Sequence, residues 1–273
     1  MILRMPVRDL ERSTADLKPL LDEMREVVRS SSPALTRHAG HLNRPGVIFN
    51  YAYYTALVRQ RLPPDSVICD WGGQYGHVSK LLRSSFPNVI CYVPDRTEYE
   101  VEYYHRKFGV DDIVKFGPGY GSAAITLDDA SVDAVISSGV LEHTREHGVP
   151  EQDSLREIWR VLRPGGSFFI WNLPRRWGSV ELLNTVLRRS CHQYKYGRRD
   201  ITALLEETGF EVELLDRHEL LNLSSRNALG KLIGDVRAWT ADYYLSKAFL
   251  GGAFAQHFTI VARKPHAPTA EKA

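Results

Sequence analysis

Cysteine is scarce in this chain: three residues in 273, far too few and too scattered for a disulfide framework or a cysteine metal cluster. Cys69 and Cys91 lie in apolar runs, where a thiol acts as a small buried hydrophobe, and Cys191 lies in a basic segment. Long apolar stretches are missing too, so no bilayer-spanning helix is expected, and the first residues lack the apolar core of a signal peptide. Charge of one sign is not in excess: the net charge of +2 gives no reason to expect a nucleic-acid partner. No internal repeat is present. These absences leave an ordinary globular composition, expected to work in a reducing, cytoplasmic setting, with length for one large α/β domain and additions or for two small domains.

The most informative stretch is Val67–Leu82. A short apolar run ends in Asp70, a glycine-rich turn follows (Trp71-Gly72-Gly73-Gln74-Tyr75-Gly76), and helical spacing resumes. This predicts a strand, a tight turn and a helix, the opening of a nucleotide-binding βαβ unit. The dinucleotide fingerprint G-x-G-x-x-G fails at Gln74 and His77, and no Gly-Lys-Ser/Thr follows to make a phosphate loop. What fits is Asp70-x-Gly72-x-x-x-Gly76.

That pattern resembles the first motif of the class I S-adenosylmethionine-dependent methyltransferases, acid-x-Gly-x-Gly-x-Gly. The acid and the outer glycines are kept, Gln74 replaces the middle one, and Gly73 beside it is expected to supply the flexibility. A second apolar strand, Val89–Val93, ends at Pro94-Asp95, 25 residues beyond Asp70. Dinucleotide folds place a ribose-binding acid at about this distance. The resemblance gives that role to Asp95, with Glu98 as runner-up; alternatively Asp95 caps the following helix. After Ile113–Phe116, a third strand, family members often carry an acid for the adenine amino group. Here Gly117-Pro118-Gly119 follows and the acid is missing.

Val132–Ile136 predicts a fourth strand, followed by Ser137-Ser138-Gly139-Val140 and then Leu141-Glu142-His143. A Leu-Glu-His element at this place is similar to that of family members acting on small molecules. Downstream, an amphipathic helix, Pro164-Gly165-Gly166 as a turn and an apolar strand resemble the family's fifth-strand region. The resemblance covers about residues 67–210. It implies a Rossmann-like, doubly wound seven-stranded sheet, mostly parallel with an antiparallel last strand. It also implies S-adenosylmethionine as cofactor, held by Asp70, Trp71, Gly72, Gly73, Gly76, Asp95 and Ser138. Ligands in such sheets bind at the carboxyl ends of the strands, so these residues converge. Histidine titrates near neutrality and suits removal of a hydroxyl proton, so His143 is the candidate base, with His147 as alternative. His143 could instead brace its loop, as Glu142 is expected to do.

Residues 1–64 are expected to form a helical cap. Leu17, Leu20, Leu21, Met24, Val27 and Val28 predict an amphipathic helix started by Ser13 or Thr14, and Val47–Arg61 a second. Tyr51 on the second helix is a candidate to cover the cofactor site. Residues 65–264 form the sheet domain. Within it are expected helices at Val180–Leu187 and Asp200–Gly209, strands at Glu211–Leu215 and Gln256–Arg263, and a helical insertion at residues 218–252. Residues 265–273 form a disordered tail. Arg175, Arg176, Arg188, Arg189 and Lys195–Arg199 are either solvated surface or the mark of an anionic acceptor or membrane surface. The expected function is methyl transfer to a small or medium-sized acceptor, through oxygen if His143 is the base. The alternative is a non-catalytic cofactor-binding or partner protein, suggested by Gln74 and the missing acid.

Overall fold

Alternation within the strands decides which face each residue serves. Ile68 in β1 (Val67–Trp71) and Ile136 in β4 (Val132–Ser138) enter one apolar core, while Cys69, Trp71 and Val135 enter the other. The computed structural model describes residues 7–44, 46–95, 99–179, 182, 193–221 and 223–266. Its strands form one sheet in the order β3-β2-β1-β4-β5-β7-β6. The remaining strands are β2 (Asn88–Val93), β3 (Val114–Phe116), β5 (Leu162–Pro174), β6 (Glu211–His218) and β7 (His257–Arg263). Pairings from β3 to β5 are parallel, and β7 runs antiparallel between β5 and β6. This is the expected Rossmann-like sheet. Strand order reverses between β1 and β4, which opens a crevice at their carboxyl ends.

Helices cover both faces. On one side lie α1 (Val7–Ser30), α2 (Pro33–Ala39), α3 (Val47–Arg59), α4 (His77–Arg83) and α5 (Tyr99–Phe108). Leu10, Leu17, Leu21, Met24 and Val28 of α1 share a core with α3 and with Ile136, Phe169 and Trp171 of the sheet. The other face carries α6 (Glu151–Val161) and α7 (Arg198–Glu207), with Leu155, Ile158, Ile201 and Leu205 buried under it. After β6 come α8 (Leu223–Ile233), α9 (Asp235–Leu245) and α10 (Phe249–Phe254), a mostly helical insertion.

Several boundaries differ from expectation. The first helix begins by Val7, so Ser13 and Thr14 lie inside it; Ser13 is buried on the face shared with Leu10 and Leu17, where a small hydroxyl fits the stripe. Pro164-Gly165-Gly166 does not break β5. Gly165 takes φ +80 and its N–H donates to the Lys264 carbonyl at 2.8 Å, so the distortion is absorbed within the strand. β6 runs on to His218 because β7 supplies a partner as far as His257. The Val180–Leu187 helix, Glu98, Arg188, Arg189 and Cys191 lie outside the described residues, as does the tail from residue 267. No described helix is long and apolar enough to cross a membrane.

Candidate active site

The turn after β1 is held by backbone geometry. Gly72 and Gly76 adopt φ +75 and +76, the left-handed region that favours glycine. Gln74 itself adopts φ +36, and its carbonyl accepts a hydrogen bond from His105 Nε2 on α5. This corrects the expectation that Gly73 replaces the missing middle glycine. Gly73 keeps a negative φ and is needed for space: a Cβ there would stand 2.7 Å from Cys91 Sγ and 3.0 Å from Asp70 Oδ2. The Gly72 and Gly73 amides both donate to the Tyr92 carbonyl, at 2.9 and 3.0 Å, tying the turn to β2. Asp70 is buried and accepts the Ser79 hydroxyl at 2.6 Å. Burial pushes its carboxyl up to about 6 against the pull of the Ser79 hydrogen bonds.

Beside this turn is a cavity of about 340 Å³, in the size range of small-molecule sites. Asp70, Trp71, Gly72, Gly73, Ser138 and His143 all line it. Gly76 does not; it caps α4 instead. Asp95 follows Pro94, which lines the cavity, but is not itself part of the wall. Where the adenine acid is missing, the wall is Pro118, Gly119, Tyr120 and Ser122–Ala124. The segment after it is fastened by side chains that the sequence did not point to. Glu157 accepts the Ile125 amide at 2.9 Å, and Arg160 donates to the carbonyls of Ile125 and Leu127 at 2.6 and 2.9 Å. Tyr120 and His147 stack with centroids 4.7 Å apart, joining this wall to the one after β4.

After β4 the chain forms a 3-10 helix, Leu141–His147. His143 is half-buried on the cavity wall, and its Nδ1 meets Glu146 Oε2 at 2.9 Å. Glu142 turns inward: it is 2% exposed, and its Oε2 has no hydrogen-bond partner. Burial pushes its carboxyl up to about 7, opposed by its own backbone N–H and by His143 and His257.

Behind Glu142, past the ends of β5 and β6, lies a polar network assembled from distant segments. Glu219 adopts φ +61; its Oε2 accepts His257 Nδ1–H at 2.6 Å and its Oε1 accepts Asn50 Nδ2–H at 2.6 Å. Arg226 lies 3.3 Å from Glu219 and 3.5 Å from Asp242. Burial works against the Glu219 charge, but His257 and Arg226 hold its carboxyl far below the usual range. The Tyr54 hydroxyl donates to Asn172 Oδ1 at 2.5 Å and meets His218 Nε2 at 2.6 Å. His218, Glu219 and His257 bring their ligand-capable atoms within 4.8 Å of one another, a grouping fit in type for a metal. Both Glu219 oxygens are already satisfied by Asn50, Arg226 and His257, so the group is closed as an ion-pair network. Tyr51 is buried with its ring edge-on to His77, 5.6 Å between centroids, and reaches the cavity only through that histidine.

The arginines divide. Arg175 is buried and donates to the carbonyls of Gly252 and Ala255, which clamps the approach to β7. Arg176 pairs with Asp200 at 2.8 Å. Arg198 and Arg199 remain exposed at the start of α7.

With this geometry in view, the comparisons with known proteins fall on the same region. Residues 69–170 match the family model described as a methyltransferase domain. A Mycolicibacterium smegmatis protein, named a probable S-adenosylmethionine-dependent methyltransferase, is 37% identical over 91 residues, which are 33% of this chain and 33% of that protein. Among solved structures, a chain of the Haloferax volcanii complex of the Trm112 methyltransferase activator superposes with TM-score 0.58 at 18% identity, over 85% of this chain and 95% of that one. A Thermotoga maritima S-adenosylmethionine-dependent methyltransferase gives 0.54 at 14%, over 83% and 96%. The YcgJ protein of Bacillus subtilis gives 0.52 at 14%, over 79% and 100%. Residues 69–170 thus carry a methyltransferase-domain match, and the sheet order together with these superpositions shows a Rossmann-like methyltransferase fold.

Proposed function

We propose that this chain is an enzyme that transfers a methyl group from S-adenosylmethionine to a small or medium-sized acceptor, through oxygen. The carrying observation is one cavity at the sheet's switch point that gathers an acid, a glycine turn, Ser138 and a histidine from β1 and β4. The residues suit the cofactor: a Cβ on Gly72 would fall 2.6 Å from Val140, so the open turn exists only because no side chain fills it. When bound, S-adenosylmethionine supplies a methyl group already activated on a sulfonium. Positioning then dominates, because little covalent help is needed. Gly72, Gly73 and Trp71 line the turn side, Asp95, outside the wall but next to its Pro94, is the residue assigned to the ribose hydroxyls, and the wall at residues 118–124 receives adenine through backbone groups. His143, oriented by Glu146, takes the acceptor's hydroxyl proton. Residues 1–64 act as the cap, and the insertion at residues 218–252 shapes the acceptor side. Of the described arginines in the basic cluster, Arg198 and Arg199 are exposed and are the candidates to meet an anionic acceptor.

Calorimetric titration with S-adenosylmethionine and S-adenosylhomocysteine, with NAD as control, tests this. Saturable binding of the first two and not the third is expected, weakened roughly tenfold by Asp95→Ala, the loss of a charged hydrogen-bonding partner. No binding at millimolar ligand would favour the non-catalytic partner protein instead.

A further inference from the structure

Sheet order sets β3 and β4 apart. With β2 and β1 between them, they stand three strand spacings, roughly 14 Å, from one another. The segments that leave their carboxyl ends nevertheless meet. Tyr120, beyond β3, and His147, at the end of the 3-10 helix beyond β4, stack with centroids 4.7 Å apart and planes 30° apart. Both line the cavity, whose wall also includes the β1 turn and Pro94 after β2. The pair therefore spans the crevice over the ends of β1 and β2. His147 is exposed and Tyr120 half-buried, which puts the bridge on the solvent side.

A bridge of this kind can part without disturbing the walls it joins. Each ring adjoins a left-handed glycine at which a Cβ would meet nothing within 4 Å: Gly119 at φ +120 before Tyr120, and Gly148 at φ +79 after His147. The backbone beside both rings thus has room to turn. The roots of the two segments are fastened. The Gly119 amide donates to the Pro94 carbonyl at 2.8 Å, the Tyr92 hydroxyl to the Ala124 carbonyl at 3.2 Å, and the Val149 amide to the Thr144 carbonyl at 3.1 Å. The stack itself is weak: one aromatic pair shifts an equilibrium by a factor of roughly five.

Resting on the cofactor reading above, we infer that Tyr120 and His147 form a gate. Their stack parts to admit the cofactor or release its demethylated product, and it closes again over the bound ligand. The pair then sets the speed of exchange and leaves affinity to the walls below it.

Stopped-flow mixing of the full chain with S-adenosylhomocysteine tests this, followed by the fluorescence of Trp71 on the cavity wall. His147→Ala should raise the association and dissociation rate constants together, roughly fivefold, the weight of one aromatic pair, and leave Kd within about twofold. His147→Phe, which keeps a ring to stack, should stay within about twofold of wild type in both rates. Tyr120→Ala should match His147→Ala, and the double variant should be no faster than either single one, because the one bridge is already lost. Faster dissociation alone, with Kd raised to match, would make these residues ligand contacts. Unchanged rates, or accelerations that multiply in the double variant, would mean that they share no gate. Each of these results overturns the inference and leaves the methyltransferase reading intact. Wild-type protein that binds no S-adenosylhomocysteine by calorimetry would instead overturn that reading, and this inference with it.

Discussion

The two halves of the crevice are built in opposite ways. On the β1–β2–β3 side the wall is mostly backbone: left-handed residues at Gly72 and Gln74, amides donated to the Tyr92 carbonyl, and a loop pinned by Glu157 and Arg160. Beyond β4 and β5 the surroundings are side chains: Glu142, the Glu219–His257 pair with Asn50 and Arg226, and the Tyr54–Asn172–His218 chain. A backbone wall tolerates change in its side chains but not in its dihedrals. A side-chain network can be rebuilt for a new acceptor, at the risk of stranding a buried charge.

Three substitutions probe that contrast. The largest effect is expected from Glu219→Ala, which leaves Arg226 and His257 without their shared carboxylate. Removing one partner of a buried ion pair costs about 3–5 kcal/mol, so the thermal midpoint should fall by roughly 10 °C. Affinity for S-adenosylhomocysteine should stay within about twofold; a parallel collapse of both would show that the halves are one unit.

Asp70→Asn comes next and has the opposite sign. The Asp70 carboxyl is raised from 3.8 to about 6 by burial. Between those values the folded protein keeps a proton that the unfolded chain has released, so stability declines as pH rises through the window. The asparagine variant escapes that decline and should be more stable than wild type near pH 7 by up to about 3 kcal/mol, with the gap closing toward pH 4. Melting curves at the two pH values check this. A gap that widens on acidification would mean that the native carboxylate is stabilised rather than strained.

Gly72→Ala is the smallest in stability and the sharpest in location. A side chain at φ +75 costs about 1–3 kcal/mol, and the new Cβ would stand 2.6 Å from Val140 on the cavity wall. Cofactor affinity should therefore fall further than stability does. Unchanged affinity would mean that Val140 yields without narrowing the site.

The same contrast explains what could be foreseen from sequence. The Rossmann-like sheet, the turn after β1 and the Leu-Glu-His element were legible because each is a local pattern: an apolar run, an acid, glycines at fixed offsets. The Glu219–His257 pair was not, since its support comes from Asn50, Arg226 and Asp242, and nothing in the spacing of those residues marks them as neighbours. His77 was visible only as a residue that spoiled a glycine fingerprint. Gln74 looked like a defect, yet it adopts the positive φ by itself, with His105 bonded to its carbonyl.

The place of β7 has a consequence for how the molecule comes into being. The last described strand is not at the rim of the sheet; it is inserted between β5 and β6, with His257 opposite both Pro174 and His218. During synthesis, everything from β1 to β6 emerges before β5 and β6 have their shared neighbour, leaving two unpaired edges facing each other. The Glu219–His257 pair therefore cannot form until residue 257 has left the ribosome, and a polypeptide stopped short of it would carry the glycine turn without this network.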